Sequence, residues 1–323
     1  NNTLPIWYNI YPGSITDVTT LKNCVTYLKI FNLNDVLFIL DRGFFSKANV
    51  LEMNNVENKI QFIQPLPFTL KRLKKLLNKY KRRLQKAVNS FKFKEEILHH
   101  CQTDFDFDNQ IFFAHLFFNE KSEVDQKHNF MSMLFDLEEK LKLKNKHFMN
   151  LKDYLKFREA NIPKKFIKYF KWNKKTFLIE KNIKTINANI SKMGCFALLT
   201  NDKKINKTDV LNFYRQRDQV EKVFDVAKNE IDGDRLRVHS QYNTDGRLFI
   251  KFISLILYME ITKVMKRNNL FKQFTVKELL AELKKLKAIN IEGNEIFFSE
   301  LSKKQKNILK AFGIDEKNIK HSY

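Results

Sequence analysis

The stretch Val36-Leu37-Phe38-Ile39-Leu40-Asp41-Arg42-Gly43 is the strongest fold signal in the chain, because five apolar residues in a row end in an acidic turn. A continuous apolar run of this length is typical of a strand that is covered on both faces. Residues 59–64 alternate between polar and apolar types like a further strand, which Pro65 closes. Between the two strands, Ser46 can cap a short helix that runs through Met53. The stretch and its surroundings therefore predict a strand–helix–strand unit.

The residues that precede this unit extend the same alternation. Residues 4–11 are rich in β-branched and aromatic types and predict a strand that Pro12-Gly13 ends. A helix is predicted after Ser14, where apolar residues recur at steps of three and four: Val18, Leu21, Val25 and Leu28. The resulting order, β-α-β-α-β over residues 1–65, indicates an α/β layer that contains parallel strands.

The α/β rhythm is interrupted from Phe68 onward. A helical stripe between Leu70 and Val88 is crowded with lysine and arginine, and a second amphipathic helix is predicted over residues 124–141. Residues 111–118 and 176–180 have the pattern of strands, and residues 194–200 form one more buried strand. We interpret residues 66–204 as an inserted α+β module.

The remaining residues are predicted to be helical. A long helix runs from Thr208 to about Asn229, and residues 248–264 form a helix that is apolar nearly all round, which predicts an internal position. Two short helices follow Phe271. The predicted division is residues 1–65 for the first part of a core, 66–204 for the insertion, 205–267 for the long helix and the second part of the core, and 268–323 for a small helical C-terminal cap.

Charge and composition limit the function classes. Among 323 residues, 59 are Lys or Arg and 36 are Asp or Glu, so the net charge is +23. With 43% hydrophobic residues and 31 Phe, the chain is not a disordered tail. The positive field attracts polyanions, and nucleic acid is the predicted partner.

The cellular setting is predicted from three further features. Three widely spaced cysteines, Cys24, Cys101 and Cys195, favour reduced thiols and a cytoplasmic setting. The longest apolar stretch, residues 248–259, contains Lys251 and is shorter than the roughly 18 residues of a membrane span, so no membrane partner is expected. Because the chain begins at Asn1 without signal-peptide features, we expect its start to be a cut inside a longer protein.

The long helix carries one polar stripe. Tyr214, Arg217, Glu221 and Lys228 fall within an arc of about 60°, at about 100° per residue. An apolar stripe lies roughly 75° away on the same arithmetic, and it consists of Phe213, Val220, Phe224, Ala227 and Ile231. A carboxylate flanked by cations and placed beside a core suits a site where metal and phosphate meet. The alternative is an Arg-to-Glu pair at i, i+4 that only supports the helix.

Asp41 is the second candidate acid. It ends an apolar strand, and open α/β sheets place their ligands at the carboxyl ends of strands. The alternative is that Asp41 only caps a turn.

These residues together resemble a known family. The pattern Tyr214-x2-Arg217-x3-Glu221-x6-Lys228 resembles the signature of the insertion-sequence DDE transposases of the IS-four type. The segment Asp41–Ser46 is similar to the segment around the second acidic residue of those enzymes. Pro12-Gly13-Ser14-x2-Asp17 resembles their glycine turn, and residues 194–201 resemble the strand before their last catalytic helix.

The resemblance implies an RNase H-like core, a mixed sheet with flanking helices, interrupted by an insertion between the fifth strand and the catalytic helix. It implies that Asp41 is the second acid and Glu221 the third, and that both bind Mg²⁺ or Mn²⁺, with two ions in the complete site. Tyr214, Arg217 and Lys228 would contact DNA. The first acid is expected upstream of residue 1, because no residue in 1–35 fits it.

The function implied is that of a transposase core that binds insertion-element DNA ends and carries out Mg²⁺-dependent phosphodiester cleavage and strand transfer. Its partners would be double-stranded DNA at the element ends and the target, and a second copy of the chain in a homodimer. It would act in a prokaryotic cytoplasm, at the nucleoid. One alternative is a catalytically inactive DNA-binding remnant that lacks the first acid, and another is a structural basic protein.

Overall fold

The computed structural model describes residues 4–11, 15, 17–31, 36–54, 60–143, 148, 150–173, 175–176, 178–229, 241–291 and 295–315. The chain divides into two compact units. One unit is Pro12–Arg217, and the other combines Asn1–Tyr11 with Asp218–Tyr323.

The first unit contains most of the regular structure. Its helices are α1 (Asp17–Ile30), α2 (Lys47–Met53), α3 (Lys71–Leu84), α4 (Glu120–Leu143), α5 (Leu151–Asn161), α6 (Ile183–Ile190) and the start of α7 (Lys207–Asn229). Its strands are β1 (Leu37–Ile39), β2 (Gln61–Pro65), β3 (Ser90–Phe93), β4 (Glu96–Phe107), β5 (Gln110–Phe118), β6 (Phe170–Trp172), β7 (Ile179–Lys181) and β8 (Cys195–Thr200).

Six of these strands form one mixed sheet in the order β1-β2-β8-β5-β4-β3. Strand β1 pairs with β2 in parallel, with Ile39 opposite Ile63. The other neighbours are antiparallel, with Gln64 opposite Leu199 between β2 and β8. The predicted α/β class is confirmed, and the mixed sheet with flanking helices is consistent with an RNase H-like core.

Both faces of this sheet are covered. One face packs against α1, α2 and α3 in a cluster that includes Phe62, Phe105 and Phe112, all fully buried. The opposite face buries Ile63 and Leu198 under the first turns of α7. Adjacent strand residues point to opposite faces, so neighbours such as Phe62 and Ile63 enter different layers. The start of α7 is thereby fixed against the sheet.

Two of the strands predicted within the insertion, over residues 111–118 and 194–200, join this same sheet, whereas the one predicted over residues 176–180 contributes to a separate two-stranded ladder. Strands β3, β4, β5 and β8 extend it beyond β1 and β2. A separate apolar cluster links α4, α5 and α6 to the small β6–β7 ladder, with Leu134, Ile162 and Ile186 at its centre. The four-part division of the chain stays a prediction.

Local signals placed the elements near β1 correctly. Ser46 caps α2 and accepts a hydrogen bond from the Asn49 N–H at 3.0 Å, as predicted. Helix α3 buries Leu73, Leu77 and Leu84, and most of its lysines and arginines are exposed, whereas Lys81 is partly buried in an ion pair with Glu123. The apolar spacing therefore decides which face of each helix meets the sheet.

The second unit is mainly helical. It contains the later part of α7, then α8 (Gln241–Arg267), α9 (Val276–Lys284), a hairpin of β9 (Ala288–Ile291) and β10 (Glu295–Phe298), and α10 (Lys303–Ala311). Met265, Leu279 and Ile308 lie in its core. Capping boxes begin both α9 and α10. The two C-terminal helices were predicted, whereas the hairpin between them was not.

The strand predicted over residues 4–11 is wrong, because these residues have no regular structure. Pro5 has no N–H for a ladder, and Tyr8 instead packs its ring on Phe252, with the centroids 4.8 Å apart. Residues 12–14 of the predicted glycine turn lie outside the described residues.

The internal position predicted for residues 248–264 is also wrong. On α8, Phe249, Ile250 and Leu257 are each more than half exposed. The predicted apolar stripe of α7 is likewise exposed at Val220 and Phe224, and Ile231 lies outside the described residues. Apolar composition fixes which residues favour burial but not which of them find a partner. No helix in the described part of the chain is long and apolar enough to cross a membrane.

Candidate active site

Asp41 lies two residues after the carboxyl end of β1. Leu40 donates its N–H to the carbonyl of Ile63 at 3.0 Å, which ties the end of this strand to β2. Asp41 follows with extended backbone and caps the single 3₁₀ turn Arg42–Phe44, accepting the Arg42 N–H on Oδ1 at 2.6 Å. Its side chain is 54% exposed. The capping role that the sequence left open is therefore present, and the carboxylate still faces solvent.

Arg217 reaches this carboxylate from helix α7. Its Nη1 forms an ion pair with Asp41 Oδ1, the oxygen that also accepts the Arg42 N–H. The Arg217 side chain is 24% exposed and the Asp41 side chain is 54% exposed, so the pair is partly open to solvent. Two segments that are 176 residues apart in sequence thus meet at one oxygen atom.

Tyr214 supports the same arginine. The Arg217 guanidinium lies over the Tyr214 ring, 5.2 Å from its centroid. This distance is within the range of a cation–π interaction. Tyr214 itself packs against the apolar cluster of Ile63 and Leu198. The ring therefore holds the guanidinium at the edge of the sheet.

Glu221 and Lys228 occupy the continuation of α7. Glu221 follows Arg217 by four residues, and its side chain is exposed. Both residues belong to the second unit, which begins again at Asp218. The structure therefore brings together Asp41, Arg217 and Tyr214, and the roles predicted for Glu221 and Lys228 stay predictions.

Gln64 is a neighbour of the site that the sequence analysis missed. It is fully buried, and its Nε2 lies 3.5 Å from the backbone oxygen of Asp41. No described residue bonds to its buried Oε1. The alternation of residues 59–64 does not indicate this burial. In the structure Gln64 lies between Ile63 and Pro65, in a strand whose last four residues are all buried.

His100 and His115 pair with each other within the sheet and not with Asp41 or Arg217. His100 Nε2 lies 3.0 Å from His115 Nδ1 across neighbouring strands β4 and β5. Burial, with a smaller contribution from the charges of His115 and Lys207, lowers the pKa of His100 to about 3. Burial also lowers the pKa of His115 to about 4, so both imidazoles are neutral at pH 7. The three cysteines form no disulfide, and burial raises the pKa of Cys195 to about 11.

The carboxylate of Asp41 fits one ligand of a divalent ion. Mg²⁺ prefers hard oxygen donors and keeps several waters, so an exposed carboxylate at a strand end suits it. Within the described residues there is no group of three His, Cys, Asp or Glu side chains placed to hold a metal ion. Asp41 is therefore one donor of a site and not a complete site.

Comparison with protein families places the chain. A family model described as a transposase DDE domain matches residues 1–257. The chain belongs to this family. A search of curated proteins finds no match. The matched range includes the end of β1, the whole sheet and α7, so the Asp41–Arg217 contact lies within it. Membership in the transposase DDE family supports a transposase function and implies DNA as a partner, and this family typically uses a divalent metal.

Proposed function

We propose that this chain is the catalytic core of a transposase of the IS-four type, which binds the DNA ends of an insertion element and carries out Mg²⁺-dependent phosphodiester cleavage and strand transfer. The observation that carries this proposal is the contact between Asp41 and Arg217. It joins the Asp-Arg-Gly segment after β1 to the Tyr-Arg-Glu-Lys stripe of α7. Neither segment alone has a specific meaning, whereas a family-typical pair that meets in space does.

The chemistry requires acidic ligands. The chemistry that Mg²⁺ or Mn²⁺ would supply, when bound, is activation of the attacking oxygen and stabilisation of the leaving oxygen in an in-line displacement at phosphorus. Asp41 and Glu221 are the residues proposed to hold them. The cap on Arg42 restricts the rotamer of Asp41, so its free oxygen keeps one direction relative to the strand.

The cations of α7 would act on the phosphates. Arg217 can donate two parallel N–H bonds to a phosphate, and the Tyr214 ring keeps its plane fixed while it does so. Lys228 is proposed to contact the DNA backbone further along the helix. The net charge of +23 would draw the duplex toward this surface.

The same proposal extends to the domain organisation of the chain and to its assembly on DNA. Residues 1–65 and 205–267 would supply the core, residues 66–204 the insertion and residues 268–323 the cap. A homodimer would hold two element ends together, and the protein would act at the nucleoid. A size measurement of the DNA-bound protein by light scattering tests the dimer directly, because two chains per pair of ends are expected.

The catalytic assignment is tested with the variants Asp41→Asn and Glu221→Gln. The variants are made in the full-length protein and the substrate is a supercoiled plasmid that carries both ends of the element. Mg²⁺-dependent nicking is measured beside a mobility-shift assay for end binding. Both variants should lose nicking and keep most of their binding, because each loses a metal ligand but no positively charged side chain that contacts phosphate.

Asp209→Asn is the matched control, since Asp209 lies in the first turn of the same helix and its change removes the same charge. It should nick like the unmodified protein. Unchanged nicking by Glu221→Gln, or an equal loss in all three variants, would refute the assignment.

A further inference from the structure

Helix α3 concentrates positive charge more than the other long helix of its unit. Eight of its 14 residues are Lys or Arg, and none is acidic. Helix α4 has six acidic residues and four lysines over 24 positions. A lysine-rich composition that acted on every exposed helix alike would not produce this difference. The charge is therefore a particular property of α3.

Four of these cations form a stripe on the side of α3 that faces away from the sheet. This outer stripe consists of Lys71, Lys75, Lys79 and Arg82, all exposed. At about 100° per residue the four lie within an arc of about 80°, centred opposite the buried leucines of the helix. At about 1.5 Å per residue the stripe is about 16 Å long, the length of about five base pairs along a duplex.

Carboxylates neutralise the two sides of α3 but not the outer stripe. Arg72 pairs with Asp106 at 3.1 Å on one side, and Lys81 pairs with Glu123 at 3.0 Å on the other. Within the described residues, no member of the outer stripe forms an ion pair. The stripe between these two pairs thus keeps its full charge toward solvent.

Helix stability does not account for the outer stripe. Lys75 follows Lys71 by four residues and precedes Lys79 by four, and like charges at this spacing destabilise a helix. Lys71 also lies in the first turn, where the helix dipole disfavours a cation, and no side chain caps this end. A ligand with negative charges at regular intervals would remove both repulsions.

A second group of cations adjoins the stripe. Lys74 of α3 lies near Lys168, in the 3₁₀ turn Ile167–Tyr169, and near Lys192, in the turn before β8. Burial, together with the charges of Lys74 and Lys168, lowers the pKa of Lys192. In the described part of the chain, none of the three pairs with a carboxylate. Three segments of one unit therefore bring uncompensated positive charge to this adjoining group.

We propose that the outer stripe and the adjoining group form a second DNA-binding surface, which contacts the phosphates of a duplex without reading its sequence. The inference rests on the proposed function for the choice of DNA among polyanions, and it adds a surface made of residues other than those of α7. Lysine and arginine contacts to phosphates fix the position of a protein on a duplex but carry no sequence information. The stripe is long enough for several such contacts in a row.

The experiment measures binding of the full-length protein to a duplex of arbitrary sequence, by fluorescence anisotropy at a series of salt concentrations. The stripe variant carries four changes: Lys71→Gln, Lys75→Gln, Lys79→Gln and Arg82→Gln. Because each phosphate contact contributes about 0.9 to the slope of log affinity against log salt, this slope should fall by about 3 to 4. Lys74→Gln combined with Lys168→Gln should lower it by about 2.

The control variant removes the same charge from exposed lysines of the same unit. Its changes are Lys94→Gln, Lys121→Gln, Lys127→Gln and Lys140→Gln. The control should keep nearly the original slope. An equal loss of slope in the stripe and control variants would show that only net charge matters, and an unchanged slope in the stripe variant would remove α3 from the interface. Either result overturns the proposal.

Two further measurements do not depend on affinity. The stripe variant should melt at the same temperature as the unmodified protein or above it, because it loses repulsion between like charges. A lower melting temperature would show that these cations serve the fold, and would overturn the proposal. In the unmodified protein, DNA should protect Lys75 and Lys79 from acetylation, read by mass spectrometry, and leave Lys121 and Lys127 reactive. Equal protection of both pairs would also overturn it.

Failure of this surface is distinguishable from failure of the proposed function. If Glu221→Gln nicks normally while the stripe variant loses slope, the catalytic assignment falls and the surface stands. If nicking depends on Glu221 and the stripe variant keeps its slope, only the surface falls. If the unmodified protein binds no duplex, both fall.

Discussion

A single methyl group added at Gly194 should destabilise the sheet. This glycine precedes the central strand β8 and has a φ of +73°, a conformation that costs a residue with a Cβ about 1 to 2 kcal/mol. An added Cβ would lie 2.7 Å from the backbone oxygen of Asn119 and 2.7 Å from the Cβ of Glu123. Neither atom is the end of a flexible side chain, so the clash must move the backbone.

The magnitude follows from these two terms. Overpacking at a site that cannot relax costs about 1 to 3 kcal/mol. Added to the cost of the left-handed backbone, it gives about 3 kcal/mol for Gly194→Ala. For a unit of this size the melting temperature should fall by about 6 to 12 °C.

Two other glycines separate the two terms. Gly313 has a φ of +71° with open space where a Cβ would lie, so Gly313→Ala should cost only about 1 kcal/mol. Gly246 lies in α8 with nothing within 4 Å of the same point, so Gly246→Ala should stabilise by up to about 1 kcal/mol. Differential scanning calorimetry of the three variants measures the order. If Gly194→Ala lowers the melting temperature no more than Gly313→Ala does, the close approach at Asn119 costs no stability and the prediction is wrong.

Two further predictions concern protons and salt. Burial lowers the pKa values of His100 and His115 below the ordinary value, so the unfolded chain takes up these protons at a higher pH than the folded chain does. The free energy of unfolding should therefore keep its full value above pH 6.5 and fall as the pH drops toward 4. The loss is about 2 kcal/mol per imidazole at pH 5. Urea unfolding at a series of pH values measures this loss. His115→Gln should flatten the dependence of stability on pH, whereas His128→Gln, a change at an exposed histidine, should not. Equal curves for the two variants would show that the buried histidines do not cause the pH dependence. Lys228→Ala should weaken DNA binding for all sequences and lower the slope of log affinity against log salt by about 1. An unaltered slope would remove Lys228 from the phosphate contacts.

The sequence predicts elements well where the signal is local. The apolar run before Asp41, the Ser46 cap and the spacing along α7 all depend on neighbours within a few residues, and the structure has the corresponding strand and helices. The strand prediction for residues 4–11 was wrong because a strand also needs a neighbouring strand to pair with, and composition does not show whether one is present. The same limit explains α8, whose apolar residues favour burial but include Phe249 and Leu257 on an exposed face.

The sheet order could not be predicted for a related reason. Strand β8 lies between β2 and β5, so a strand near residue 200 separates strands near residues 63 and 115. Pairing over such distances leaves no periodic trace in the chain. Gln64 shows the consequence for the site, because its burial depends on β1 and β8 on either side of β2 and not on the alternation of its own strand.

At the candidate site, the interpretation of Asp41 as a turn cap and its interpretation as a functional carboxylate are compatible. Asp41 caps a turn, which by itself would explain an acidic residue at the end of a strand. Asparagine and serine cap about as well as aspartate, however, because a cap needs only an oxygen that accepts one N–H bond. Only the carboxylate brings the negative charge that Arg217 meets from α7. The cap accounts for the position of an oxygen atom at residue 41, and the arginine accounts for its charge, so the aspartate is explained by the contact that joins the two family segments.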